Sequence, residues 1–312
     1  MNDDAVVSLH GLGRSFRDAV AVADLSFDVA HGELFGIVGP DGAGKTTTLR
    51  ILAGVLPPTT GDAIVAGVSV AREPERAKPA LAYVAQRFGL YEDLTVRENI
   101  DFYADLYRVP RAERPARLER LYAFSQLGPF EDRLVGKLSG GMKQKASLCC
   151  CLIHQPRVLI LDEPTFGVDP ISRRDLWLIL HEMAAQGVTI VLSTSYLDEA
   201  ERCDRVALLD AGRVLALGSP AELHAAYDGA LFTFDAHGDR ALRDRLRAID
   251  GVSGAWLFGD ALHLTLPLDD AQRTPALARI ETAGVPAGTL RRIDASIEDV
   301  FLSYASAAAS HA

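Results

Sequence analysis

A glycine-rich segment that joins a predicted strand to a predicted helix has the residue types that bind phosphate. It reads GPDGAGKTT from Gly39 to Thr47, after the apolar run Leu34 to Val38 and before the helical pattern Thr47 to Leu56. Its glycines let successive N–H groups turn toward an anion, and the N-terminus of the following helix favours negative charge. Lys45 adds a full charge on the β- and γ-oxygens of a triphosphate, and Thr46 offers a hydroxyl to Mg²⁺. The spacing predicts a nucleotide-binding loop, the Walker A pattern, with chance agreement as the alternative.

Two adjacent acidic residues follow a short and fully apolar run. Val158 to Leu161 are four aliphatic residues, and Asp162 and Glu163 come directly after them. This pattern is typical of a central parallel strand that delivers carboxylates to the carboxyl edge of a sheet. Asp162 suits the Mg²⁺ shell, because a hard cation takes carboxylate oxygen directly or through water. Glu163 points elsewhere and can orient a water for in-line attack on the γ-phosphate.

An aromatic residue lies upstream of the glycine-rich segment. Phe16 is predicted in a turn after the first strand, where its ring can stack on a purine base. A core position is the alternative. The position of Phe16 relative to Gly39 is what favours the adenine interpretation.

The overall composition disfavours several classes of protein. The 312 residues include 42 Asp plus Glu against 32 Lys plus Arg, so the net charge is −10. This composition lacks the excess of basic residues that is typical of nucleic-acid-binding proteins. No apolar run approaches the roughly 18 to 20 residues that span a bilayer. The N-terminus lacks the basic and apolar regions of a secretory signal. We therefore expect a chain that is neither secreted nor inserted in a membrane.

The cysteines and histidines show no metal-binding spacing. Cys149, Cys150 and Cys151 are consecutive and Cys203 stands alone, which matches neither a zinc motif nor a disulfide framework. We expect them to be reduced core residues of a cytosolic protein. The eight histidines are scattered along the chain, so no metal site is predicted from them.

Strands and helices alternate along the chain in an α/β pattern. These elements must position the segment Gly39 to Thr47, called the phosphate loop below, and the two carboxylates of Asp162 and Glu163. Further strands are predicted at Val6 to Leu9, Leu25 to Val29, Asp62 to Ala66, Leu81 to Ala85, Thr189 to Ser193, Arg205 to Leu209 and Arg213 to Leu217, with helices at Arg173 to Ala185 and around Asp198 to Glu201. Helical periodicity over residues 95 to 126, broken near Pro110 and Pro115, indicates a helical insert of about residues 87 to 137.

The pattern restarts after Tyr227 and predicts a second domain. Its strands are expected at Leu231 to Phe234, Ala255 to Phe258, Leu262 to Leu266 and Thr289 to Ile293, and its helices at Arg240 to Ile249 and Ala271 to Ala283. Strand, helix, strand, strand, helix, strand is the order of a small ferredoxin-like βαββαβ unit. We therefore predict an ATP-binding domain at 1–227, an α+β domain at 228–304 and a flexible tail at 305–312.

The motifs together identify a family resemblance. The phosphate loop, Gln86, LSGGM at 138–142 and LILDE at 159–163 occur in this order, and the chain resembles the ATP-binding subunits of ABC transporters over about residues 5 to 225. The resemblance implies an α/β P-loop NTPase core with an antiparallel β subdomain and a helical subdomain. It also implies that two such subunits close face to face over two ATP molecules, each site combining the phosphate loop of one subunit with the LSGGM of the other.

The resemblance assigns roles to individual residues. Ser139 and Gly141 would contact the γ-phosphate that the partner subunit binds, and Gln86 would sense Mg²⁺ and report to a membrane subunit. The segment Phe166 to Pro170, with Asp169, resembles the loop that links the two sites. The nucleotide-binding set is Phe16, Gly39, Pro40, Asp41, Gly42, Ala43, Gly44, Lys45, Thr46, Thr47, Ser139, Gly140, Gly141 and Asp169; the metal set is Thr46, Gln86 and Asp162; and the catalytic set is Glu163, Lys45, Gln86 and Ser195.

Four further segments resemble the corresponding segments of exporters of the drug-resistance type. They are GLYEDLTVREN at 89–99, GMKQK at 141–145, STSYLDEAERC at 193–203 and SIEDVFLSY at 296–304. In that group the permease is a separate chain and the ATPase carries a small C-terminal extension. This implies a peripheral subunit on the cytoplasmic face of the membrane, with a permease docked on the helical insert.

One position departs from the family. Most members have a histidine that contacts the γ-phosphate where this chain has Ser195. The departure leaves three interpretations: a weakened site, a second ATPase subunit that does most of the hydrolysis, or a serine that works through water.

Two other functions compete with ATP-driven export. One is a soluble ABC-type factor in translation or DNA repair, which the acidic charge and the absence of a second such domain or a coiled coil in this sequence disfavour. The other is a regulatory partner that barely hydrolyses ATP, which Ser195 favours and Glu163 disfavours.

Overall fold

The apolar run before the phosphate loop forms a fully buried strand, β3 (Leu34–Val38), with the predicted bounds. Its sheet also contains β6 (Leu81–Val84), β7 (Val158–Asp162), β8 (Thr189–Thr194), β9 (Arg205–Asp210) and β10 (Arg213–Gly218). The order is β10, β9, β3, β8, β7, β6, and every pair except β9 with β10 is parallel. Because parallel strands end at one edge, the segments after β3, β7 and β8 meet there.

The computed structural model describes residues 4–17, 19–86 and 89–310. The chain divides into two compact units, Met1–Pro220 and Ala221–Ala312, whereas the sequence pattern predicts a domain boundary after Tyr227. Within the described part of the chain, none of the helices has the length and apolarity needed to span a bilayer.

An antiparallel sheet completes the strands of the first unit. It contains β1 (Ala5–Phe16), β2 (Ala19–Ala30), β4 (Thr60–Val65) and β5 (Val68–Ser69), in the order β2, β1, β4, β5. β1 and β2 are longer than the sequence predicts, because register shifts between Leu9 and Arg14 interrupt the alternation of buried and exposed residues. Phe16 is the last residue of β1, so its predicted place in a turn after the strand is wrong.

Glycine and proline residues determine some of the helix ends in the first unit. They are α1 (Lys45–Leu52), α2 (Pro74–Ala77), α3 (Val96–Leu106), α4 (Arg114–Ser125), α5 (Gly140–Leu152) and α6 (Pro170–Ala185), and α7 (Pro220–Ala225) follows. α1 ends before Leu56, since Gly54 has a φ of 65°. The predicted break near Pro110 and Pro115 lies between α3 and α4. Pro115 itself is in the first turn of α4, where a missing N–H costs no helical hydrogen bond.

The cysteines lie inside the first unit. Three are in α5 and Cys203 follows a 3₁₀ helix at Leu197–Arg202, and all four are free and buried. Burial raises the pKa of the Cys149 and Cys151 thiols to about 12, so both stay protonated at neutral pH. They pack as small apolar side chains.

The second unit has its own sheet and core. Its elements are β11 (Ala230–Asp235), α8 (Arg240–Arg247), β12 (Gly254–Phe258), β13 (Ala261–Leu266), α9 (Asp270–Thr282), β14 (Arg291–Ile293) and α10 (Ile297–Ser310). The strand order is β12, β13, β11, β14, with every pair antiparallel. Leu246, Leu262, Leu264 and Ile280 are fully buried in one apolar cluster. α10 is a helix that the sequence analysis did not assign, and it extends beyond residue 304.

Candidate active site

The phosphate loop is shaped by glycines and by its contacts with neighbouring strands. Gly44 is the N-cap of α1 and has a φ of 99°, a backbone conformation that side chains rarely adopt. A Cβ at Gly39 would collide with the Leu209 carbonyl oxygen. Gly44 has no side chain that could cap α1, and the N–H groups of the first turn of a helix have no partner within the helix. The loop therefore has the backbone donors that an anion needs.

The ammonium of Lys45 is surrounded by oxygen atoms. It donates to the carbonyl oxygens of Gly39 at 2.7 Å and Pro40 at 3.0 Å. It also lies 3.2 Å from Oε1 of Glu163, and the exposed fractions of the two side chains are 5% and 9%. Three acceptors match the three donors of an ammonium, which fixes the lysine inside the loop.

The carboxylate of Asp162 accepts hydrogen bonds from three hydroxyl groups. Oδ1 accepts hydrogen bonds from Thr46 Oγ1 and Ser193 Oγ, both at 2.9 Å. Oδ2 accepts one from the Tyr83 hydroxyl at 3.2 Å. Burial, followed by the Asp162 charge, raises the pKa of Tyr83 to about 12, so the phenol stays a donor. Asp162 is only 2% exposed, and these bonds compensate the burial of its charge.

Tyr83 and Ser193 are site residues that the sequence motifs do not predict. Each lies near the carboxyl end of an apolar strand, within the runs LAYV and TIVLST. A polar residue at that end of a parallel strand is the sequence signal that points to this edge of the sheet. The pairing of β6 and β8 with β7 is what brings both hydroxyls to Asp162.

Glu163 is held in an unusual backbone conformation beside Ser195. Its φ is 49°, in the left-handed region, and its N–H donates to Ser193 Oγ at 3.0 Å. A non-glycine residue in that region costs of order 1–3 kcal/mol, and such residues cluster at functional sites. Ser195 Oγ donates to Oε2 of Glu163 at 3.4 Å. The serine that replaces the expected histidine thus contacts the carboxylate beside it.

Lys45, Thr46 and Glu163 line one cleft of about 320 Å³. Its lining consists of Ala21, Asp41, Gly42, Gly44, Lys45, Thr46, Thr47, Gln86 and Glu163. The structure therefore brings the phosphate loop, Glu163 and the exposed Gln86 together. Ala21, from β2, is a lining residue that the sequence analysis did not predict.

Other predicted site residues are placed elsewhere. Of the residues that the structure describes, ten predicted site residues are outside the lining of this cleft: Phe16, Gly39, Pro40, Ala43, Ser139, Gly140, Gly141, Asp162, Asp169 and Ser195. Asp162 and Ser195 nevertheless contact the lining residues Thr46 and Glu163. Phe16 is 44% exposed, which excludes a core position, and the Arg14 guanidinium lies 4.7 Å from the centre of its ring.

The LSGGM segment begins α5 and lies next to the start of α6. Ser139 is the N-cap of α5 and accepts a hydrogen bond from the Met142 N–H at 3.3 Å. Ser139 and Gly140 are exposed, whereas Gly141 is buried, and a Cβ at Gly141 would collide with the Ser172 side chain. Asp169 caps α6, and the hydrogen bond from Ser172 holds the pKa of its carboxyl below the ordinary value. The two helix starts are thus packed against each other.

Comparisons with known proteins identify relatives of this chain. Residues 22–166 match the family described as ABC transporter. The probable multidrug ABC transporter ATP-binding protein YbhF of Escherichia coli (strain K12) is 44% identical over 304 residues, which are 96% of this chain and 52% of the relative. The chain therefore spans about half the length of this relative.

Another relative matches over nearly its whole length. The Nod factor export ATP-binding protein I of Paraburkholderia xenovorans (strain LB400) is 36% identical over 306 residues, covering 96% of each chain. Among solved structures, an ATP-binding subunit of an ABC transporter superposes with a TM-score of 0.65 at 32% identity, covering 70% of this chain and 92% of the other.

Proposed function

The chain belongs to the ABC transporter family as an ATP-binding subunit, and we propose that it hydrolyses ATP to drive export through a separate membrane permease. The observation that carries the proposal is that Lys45, Thr46 and Glu163 line the same cleft. Export, rather than import, is supported by the names of the two relatives, which describe multidrug transport and Nod factor export.

The cleft has the groups that bind a nucleoside triphosphate. The loop N–H groups and Lys45 would bind the phosphates, together with the rest of the loop from Gly39 to Thr47. Phe16, exposed at the end of β1, would stack on the adenine through the ring face that Arg14 leaves open. A phosphate that binds Lys45 competes with Glu163 for its ammonium, so nucleotide binding would release this carboxylate.

The same cleft fits Mg²⁺. The hydroxyl of Thr46 and the carboxylate of Asp162 are hard oxygen donors 2.9 Å apart. Mg²⁺ keeps several waters and commonly binds through one or two carboxylates together with substrate phosphates. Gln86, which lines the same cleft, would complete the set. When bound, Mg²⁺ neutralises charge on the phosphate oxygens.

Glu163 would act as the general base. Its carboxylate lies beside the phosphate-binding lysine and is oriented by Ser195 Oγ. A base in this position accepts a proton from the attacking water. Ser195 lacks the imidazole of most family members, and this observation favours one second candidate: a weakly hydrolysing subunit whose partner is another ATPase.

A second ATP-binding subunit would complete the site. Ser139 and Gly140 are exposed and lie outside the cleft, as expected of residues that serve the nucleotide of a partner. Phe166 and Ile171 are large apolar residues that are 58% and 76% exposed on either side of Asp169. Covering them would stabilise a closed pair of subunits.

The helical insert offers a surface for the permease. Tyr91, Phe102 and Leu106 are exposed, and the Tyr91 and Phe102 rings form a T-shaped pair with centroids 4.9 Å apart. We propose that this patch binds a cytoplasmic segment of the permease and holds the chain at the cytoplasmic face of the membrane.

The C-terminal part is proposed to be a separate α+β domain of the ferredoxin-like class. The antiparallel order β12, β13, β11, β14 and two intervening helices support this assignment. We retain 1–227, 228–304 and 305–312 as the proposed domain limits, with α10 extending into the last segment.

The proposed function is tested with the purified chain. We expect Mg²⁺-dependent release of inorganic phosphate from ATP, and an ATP-dependent dimer in gel filtration. A chain that binds no ATP would overturn the proposal. A chain that binds ATP, dimerises and releases phosphate only slowly would support the second candidate.

A further inference from the structure

Tyr83 holds a fixed position at the edge of the central sheet. It lies in β6, which pairs in parallel with β7, and Tyr83 is opposite Ile160. Its ring packs on the apolar core of the first unit. Its hydroxyl reaches forward to Oδ2 of Asp162 at 3.2 Å. Because the ring packs on this core, its hydroxyl oxygen has a defined position beside Asp162.

The two oxygens of Asp162 have different partners. Oδ1 contacts the hydroxyls of Thr46 and Ser193, and among the described residues Oδ2 accepts only from Tyr83. A carboxylate that is bonded on both oxygens cannot rotate freely. The Tyr83 bond therefore keeps Oδ1 directed toward Thr46.

We propose that Tyr83 is a positioning residue for the divalent cation that accompanies the bound nucleotide. The proposal rests on the function proposed above. The Tyr83 hydroxyl orients Asp162 and thereby the Thr46–Asp162 oxygen pair. It also ties this pair to β6, the strand that ends two residues before Gln86. Groups that orient metal-binding carboxylates commonly change metal affinity by about 10- to 100-fold when they are removed.

The test compares nucleotide affinity with and without metal in full-length variants. A fluorescent, non-hydrolysable ATP analogue is titrated in Mg²⁺ and again in EDTA. The ratio of the two dissociation constants measures the coupling between metal and nucleotide. In Tyr83→Phe, we expect the affinity in EDTA to be unchanged and the ratio to fall by about tenfold. Tyr83→Leu, which also lacks the hydroxyl, should show the same loss.

Tyr227→Phe is the matched control. It removes the hydroxyl of another half-buried tyrosine, which bonds to Thr265 Oγ1 at 2.6 Å in the second unit, and it should leave the ratio unchanged. An unchanged ratio in Tyr83→Phe, an equal loss in Mg²⁺ and in EDTA, or an equal effect of Tyr227→Phe would overturn the proposal. If the wild-type chain binds no analogue in either condition, the proposed function fails instead.

Discussion

The ammonium of Lys45 lies 3.2 Å from Oε1 of Glu163, and both side chains are almost fully buried. The lysine proposed to bind phosphate and the glutamate proposed as general base are thus joined in one ion pair. Removing one partner of a buried pair leaves an uncompensated charge, which is strongly unfavourable. Phosphate oxygens would supply a new partner for Lys45, so this contact links nucleotide binding to the release of the base.

Lys45→Ala is expected to abolish nucleotide-dependent function. Backbone donors remain, but losing charge-assisted hydrogen bonds worth roughly 1.5–3 kcal/mol should weaken ATP binding by about 10- to 100-fold. Turnover should fall to background, as measured by calorimetry and phosphate release. Lys78→Ala, which removes an exposed lysine paired with Glu75, is the control. Wild-type affinity and turnover in Lys45→Ala would refute the phosphate-loop assignment.

Glu163→Gln is expected to keep ATP binding and to slow hydrolysis by about 10²- to 10⁴-fold, the usual contribution of a positioned base. The amide retains the shape of the side chain but cannot accept the proton. With turnover blocked, the closed dimer should accumulate with ATP and Mg²⁺ in gel filtration. Glu75→Gln, at an exposed site, should behave as wild type. A variant that stays monomeric at saturating ATP would count against the two-subunit arrangement.

Ser195→His is expected to raise turnover of the purified chain severalfold or more. An imidazole reaches further than a hydroxyl and would add a donor to the γ-phosphate beside Glu163, which Ser195 contacts at 3.4 Å. Ser195→Ala, which removes only that contact, separates the existing role of the serine from the gain. Fast wild-type turnover with no gain from histidine would show that the serine is sufficient.

Acid is expected to weaken the second unit through Asp299. Burial raises the pKa of its carboxyl, but the hydrogen bonds from His263 and Ser296 outweigh it and hold the pKa below the ordinary 3.8. A depressed folded-state pKa stabilises the fold above the ordinary value and loses that contribution as the pH falls through the folded value. Asp299→Asn should therefore lower the Tm at pH 7, and its difference from wild type should shrink below about pH 4. A pH-independent difference would contradict this.

Truncation after Tyr227 is expected to leave the first part of the chain folded and able to bind ATP. All nucleotide motifs precede this point, and the second unit has an apolar cluster of its own. Circular dichroism and calorimetric titration of the truncated chain test this. Loss of cooperative unfolding in the remainder would reject the domain boundary.

Local patterns in the sequence were sufficient to predict the family, the central strands and the glycine-rich turn between β3 and α1. β3 has the predicted bounds because a strand buried on both faces is a continuous apolar run. The relatives confirm the family resemblance. It was visible in the sequence because the family motifs are short and contiguous. Strand ends, helix ends and the place of Phe16 were less accurate, because bulges and capping geometry decide them.

Only the tertiary structure decided which side chains meet around Asp162 and Glu163. Asp162 contacts Thr46, Tyr83 and Ser193, which are 116, 79 and 31 positions away in the chain. Sequence motifs predicted Asp162 and Thr46 as metal-site residues, but no local pattern relates Tyr83 to either of them. The parallel pairing of β6, β7 and β8 brings these side chains together in space. The register of that pairing results from packing across the whole sheet.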